Sequence, residues 1–111
     1  MKRRAVQPET SDTASLDFLC EAMMSMRTVE EMRAFLRDLT TPAELEALTD
    51  RWRVVPYLLR EVAYREIHDR TAVSVTTIGR VARFLVGEQG GYALAAKRLQ
   101  RKGRWPPSET D

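Results

Sequence analysis

The residues Ala63-Tyr64-Arg65-Glu66-Ile67-His68-Asp69-Arg70-Thr71-Ala72-Val73-Ser74-Val75-Thr76-Thr77-Ile78-Gly79-Arg80-Val81 spell two short helices joined by a tight turn. Ile67 from the first helix, Val73 from the turn and Ile78 from the second form an inward apolar set, and Ser74 has the residue type and position of an N-cap for the second helix. Val75, Thr76, Gly79, Arg80 and Arg83 then fall on or near the solvent side. This is the pattern of a helix-turn-helix. Bulky side chains at the start of the second helix would hold it away from base edges, whereas Val75 and Thr76 permit entry into a major groove and can touch a thymine methyl. Arg65, Arg70 and Arg83 suit phosphates or guanine edges. The candidate DNA-contacting set is therefore Arg65, His68, Arg70, Ser74, Val75, Thr76, Gly79 and Arg83. Two positions depart from the pattern. His68 and Ala72 stand where small residues are usual, and a left-handed turn costs alanine more than glycine.

Working outward, Leu16, Leu19, Cys20, Met23 and Met26 recur at the spacing of a helix with one apolar face. Thr28 and Glu31 match a capping box and open a second helix to about Leu39. Thr41, Pro42 and Glu44 open a third, with proline at the first helical position. Its apolar face runs through Leu45, Leu48, Trp52, Val55 and Leu59, with a kink expected at Pro56, which cannot donate to the Trp52 carbonyl. No segment alternates in the manner of a strand, so the expected fold class is all-α. The expected organisation is a flexible N-terminal arm over residues 1–13, a helix-turn-helix domain over 14–97 and a basic, proline-containing tail over 98–111.

Composition narrows the function. A length of 111 residues suits one domain. One cysteine and one histidine cannot assemble a thiolate and imidazole metal site within a single chain, so no metal is expected, and Cys20 reads as a buried structural thiol. The single histidine sits beside Asp69 with no evident pocket, so no catalytic residues and no enzyme activity are expected. No apolar run is long enough to span a bilayer, and no signal-like stretch follows Lys2, Arg3 and Arg4, which leads to the expectation of a cytoplasmic protein without membrane partners. Residues 15–59 hold 5 basic and 8 acidic side chains, whereas 60–111 hold 10 basic and 6 acidic. The second half thus suits a polyanion, and equally a solvated charged surface.

The run Thr41-Pro42-Ala43-Glu44-Leu45-Glu46-Ala47-Leu48, then Asp50-Arg51-Trp52, the helix-turn-helix, and the later Gly87-Glu88-Gln89-Gly90-Gly91-Tyr92 together resemble the Trp repressor superfamily, especially its YerC/YecD-type branch. The similarity spans roughly residues 16 to 95. It implies a Trp repressor-like helical bundle in an intertwined homodimer, whose two recognition helices lie about one DNA turn, ~34 Å, apart. Arg65, Val75, Thr76 and Gly79 occupy positions like the family's DNA-contacting ones. The resemblance further implies a DNA-binding transcriptional repressor of a biosynthetic operon. Classical members hold tryptophan between two arginines, which align with Arg51 and Arg80, and Thr41 matches a further pocket position. Val81 and Phe84 stand where the classical pocket has a glycine and a small polar residue, and both fill indole space. Another amino acid such as histidine, or no corepressor, is the resulting expectation, because an arginine pair equally holds a carboxylate or pairs with Asp50. No other cofactor is expected. The rival reading is an effector-independent helical module that docks nucleic acid or an acidic protein partner.

Overall fold

The computed structural model describes residues 6–105, which form seven helices and no strand. They divide into two compact units, parted between Pro42 and Ala43.

The first unit carries α1 (Asp12–Met24) and α2 (Val29–Leu39). Ser11 caps α1, its Oγ accepting from the Ala14 amide at 3.0 Å, and Asp12 complements the helix dipole in the first turn. Thr28 caps α2 as the sequence indicates, accepting from the Glu31 amide at 3.0 Å. The Glu31 carboxylate closes the box one residue early, accepting from the Arg27 amide at 2.7 Å. Neither helix buries a residue in the single chain. Cys20, expected to be buried, is exposed, as is Leu16, while Leu19, Met23 and Met26 of the same stripe are half-buried. The helix also begins at Asp12, inside the segment expected to be a flexible arm.

The second unit follows from α3 (Pro42–Arg53) through α4 (Val55–Leu59), α5 (Tyr64–Thr71), α6 (Val75–Leu85) and α7 (Gly91–Arg101). The expected kink at Pro56 is a division into α3 and α4 at Val54. Val54 keeps helical dihedrals, and hydrogen bonding resumes with the Leu58 amide on the Val54 carbonyl at 3.0 Å. Its effect is to bury Val54, Val55 and Pro56 together.

Helix α6 is the centre of this unit, packing against α4, α5 and α7. The core consists of Val54, Val55, Ile67, Val73, Ile78 and Val81, rimmed by Trp52, Tyr57, Leu58, Val62, Leu85, Tyr92 and Trp105. Two left-handed residues shape its turns. Helix α4 ends in a Schellman motif, with the Val62 amide on the Tyr57 carbonyl at 3.1 Å and Glu61 at φ 61 in the position that favours glycine. Ala72 ends α5 at φ 64. Helix α7 ends in the same motif around Gly103, with the Arg104 amide on the Leu99 carbonyl at 3.0 Å. The chain then returns Trp105 to Trp52, ring centroids 5.6 Å apart and edge-on. The boundary expected between residues 97 and 98 thus falls inside α7, because the aromatic packing of Trp105 extends the unit into the presumptive tail.

Replacing Glu61 or Ala72 by glycine removes left-handed strain that exceeds the added chain entropy. Each substitution is expected to raise unfolding stability by about 0.5–1 kcal/mol in urea denaturation. Lower stability in both would contradict these two turns.

Candidate nucleic-acid interface

The turn between α5 and α6 is held by side chains as well as backbone. The Ala72 amide donates to the His68 carbonyl at 2.8 Å. Thr71 Oγ1 donates to the Ile67 carbonyl at 2.7 Å and accepts from the Val73 amide at 3.1 Å. His68 Nδ1 lies 2.8 Å from the Val73 carbonyl, which can only accept, so Nδ1 carries the proton. Ser74 Oγ accepts from the Thr77 amide at 3.1 Å and donates to Thr77 Oγ1 at 3.0 Å, capping α6. The turn is thereby fixed with Val73 inward at 3% exposure, while Ile67 and Ile78 are each at 0%. All three anchors expected from the sequence meet in one core.

With its back pinned, α6 presents the start of its outer face to solvent. Ser74 and Thr76 are exposed, and Val75 is 49% exposed. Gly79 is half-buried instead of open, beside Tyr64; a Cβ there would make ordinary contact with Tyr64 Cε2 at 3.7 Å, so the packing of α5 on α6 does not itself require glycine. Arg65 and Arg83 are exposed. Arg70, in the last turn of α5, pairs with Glu66 at 2.8 Å, both side chains about half exposed. His68 sits at the junction, its Nδ1 engaged in the turn. The candidate DNA-contacting residues therefore belong to one packed module, with His68 also tying its turn.

The effector candidates are arranged differently. Thr41, just before α3, belongs to the first unit, whereas Arg51 and Arg80 are exposed residues of the second. The Arg80 guanidinium lies over the Phe84 ring, 5.5 Å from its centroid. Asp50 pairs with Arg53 at 3.5 Å, two positions beyond Arg51. A surface cleft of about 660 Å³ opens elsewhere, between the end of α6 and the start of α7, lined by Arg83, Phe84, Gly87 and Tyr92 among others. None of Thr41, Arg51 and Arg80 lines it. Among the described residues, no group of three or more His, Cys, Asp or Glu side chains can hold a metal, and no helix is long and apolar enough to cross a membrane.

Residues 14–100 match the family model described as Trp repressor protein. The chain belongs to the Trp repressor family. Within it, the chain is similar to the YerC protein of Bacillus subtilis (strain 168), named as uncharacterized, with 33% identity over 85 residues, covering 77% of this chain and 82% of that one. It is also similar to the crystal structure of a TrpR-like protein from Eubacterium eligens, at 31% identity and a TM-score of 0.74, covering 80% of this chain and 92% of the other. These likenesses bear out the Trp repressor-like helical bundle and the YerC-type branch read from the sequence. Trp repressor family membership points to a DNA-binding regulator and away from an enzyme.

Sequence reasoning missed three residues of the module. Thr71 ties the turn on both sides, a role signalled only by a hydroxyl two positions before the buried Val73. Tyr64 of α5 lies beside Gly79 of α6. Tyr57 receives the Arg70 side chain over its ring, a contact across helices that local spacing does not encode.

Ser74→Ala deletes the α6 cap and is expected to lower stability by about 1 kcal/mol, read by chemical denaturation. Unchanged stability would mean that the hydroxyl does not fix the turn.

Proposed function

We propose that this Trp repressor family protein is a sequence-specific DNA-binding transcriptional regulator, a repressor of a biosynthetic operon, acting in the cytoplasm as a homodimer. The observation that carries the reading is the fully buried back of α6 opposite an exposed N-terminal face made of Ser74, Val75 and Thr76. That face is narrow enough for a major groove, and the hydroxyls and the valine methyls suit base edges. Arg65, Arg70 and Arg83 would take backbone phosphates, fixing register without reading sequence, and His68 and Gly79 would stand at the close approach.

The dimer reading is supported by the first unit, where Phe18 is 75% and Met24 83% exposed and no residue of α1 or α2 is buried. Apolar helices of this kind require a covering surface. A second copy supplies one with the symmetry that a pseudo-palindromic operator needs.

For the effector, an amino acid held by Arg51 and Arg80 is one reading. The contact of Arg80 with Phe84 favours a second, in which regulation is effector-independent and tryptophan has no place.

Selection of bound fragments from the source genome, followed by titration with and without each of the twenty amino acids, tests these readings together. The selected duplex should bind ~10³-fold or more tightly than random duplex. Thr76→Ala should relax preference at one base pair, while Arg83→Gln should weaken all duplexes alike and lower the salt slope by about 1. Equal affinity for every duplex would sink the regulator reading, and affinity indifferent to all twenty amino acids would remove the corepressor. By sedimentation the protein should be a dimer that Leu16→Glu with Phe18→Glu dissociates; a wild-type monomer at working concentration would contradict the assembly.

A further inference from the structure

Tyr57 of α4 has two guanidinium groups gathered on one ring. Arg60 Cζ lies 5.4 Å from the ring centroid and Arg70 Cζ lies 5.9 Å from it. Both distances are within the ~6 Å reach of a cation–π contact. Arg60 is the C-cap of α4, and Arg70 stands in the last turn of α5, just before the left-handed Ala72. The two cations are therefore carried by the same packed module that holds α6, because α4 and α5 both pack on α6.

The electrostatics of the cluster are incomplete. Each cation is attracted by the ring face, but the two repel one another, and among the described residues only Arg70 of the pair has a carboxylate partner, Glu66 at 2.8 Å. Two positive charges thus face one negative charge at an exposed surface. Guanidinium forks match oxyanions in geometry, and the Glu66 carboxylate already occupies the Arg70 fork as a phosphate oxygen would. An exposed ion pair of this kind is weak and readily exchanged for another anion.

We propose that Tyr57, Arg60 and Arg70 form a phosphate clamp that grips the DNA backbone beside the groove entered by α6, with Arg60 and Tyr57 as contacts outside the helix-turn-helix itself. The clamp rests on the reading of α6 as a duplex-binding helix. Tyr57 positions both arginines, so that neither must be ordered at the moment of binding. Glu66 holds Arg70 extended in free protein and yields it to the backbone, which makes the clamp sequence-independent.

The test is a salt titration of the full chain on the selected and on a random duplex. Arg60→Gln changes an exposed side chain, and its thermal melt should match wild type. The slope of log affinity against log salt should fall in magnitude by about 0.9, one phosphate contact. Wild type should accordingly lose about 3.5-fold more affinity than the variant between roughly 50 and 200 mM salt. Both duplexes should weaken by the same factor, Arg60→Lys should restore the slope, and Glu66→Gln should tighten both duplexes. Tyr57→Phe should bind as wild type, since the ring face is kept. A wild-type slope and affinity in Arg60→Gln, with wild type binding duplex normally, would remove the clamp alone. Failure of wild type to bind any duplex would remove the reading of α6 and the clamp with it.

Discussion

Val73 can be buried between α5 and α6 only if the chain reverses within three residues, and this requirement organises the second unit. The reversal forces Ala72 into left-handed backbone, at about 1–2 kcal/mol for a residue with a Cβ. Burying a side chain the size of Val73, Ile67 or Ile78 contributes roughly 1.5–3 kcal/mol each, so burial wins. The bonds from Thr71, His68 and Ser74 hold the reversed backbone and leave its polar groups satisfied. Once α5 is set, α6 is held between it, α4 and α7, and its outer face, from Val75 and Thr76 to Arg80, Arg83 and Phe84, stays exposed.

Much of this was legible because it is local. Ser74, Thr28 and Pro42 mark helix starts by chemistry acting within one turn, and all three begin helices where the sequence places them. The anchors Ile67, Val73 and Ile78 were legible because their spacing leaves one solution for a two-helix corner. The turn at Arg60-Glu61-Val62-Ala63 carries no such mark, having neither a glycine nor a hydroxyl cap. Without glycine, Glu61 adopts φ 61, and Ala63 provides no side-chain cap for α5.

What was not legible depends on contacts distant in sequence. The packing of Trp105 against Trp52 relies on a turn at Gly103, and the stacking of Tyr92 on Trp52 at 6.1 Å relies on Gly90 opening α7. Neither shows in a periodicity. The exposure of Cys20 has a different origin: an apolar stripe announces a buried face but not whether the same chain buries it. Along α3, the effect of Pro56 was visible, yet whether the missing hydrogen bond bends or divides a helix depends on the core that accepts Val54 and Val55. For the site, the residues of the turn were readable and the Tyr57 platform was not, since Arg70 reaches that ring from another helix, whereas Arg80 on Phe84 follows the i,i+4 spacing of α6.

Membership of the Trp repressor family and the buried geometry of the turn both support the central proposal, that the chain meets duplex DNA through the start of α6. The most direct measurement is an amide-resolved NMR titration of the intact protein with a duplex recovered from its own genome. The account predicts that the largest shifts fall on Ser74 through Gly79, with the core amides of Ile67 and Val81 little changed. Shifts concentrated on α7 or on α1, with residues 74–79 unmoved, would contradict it.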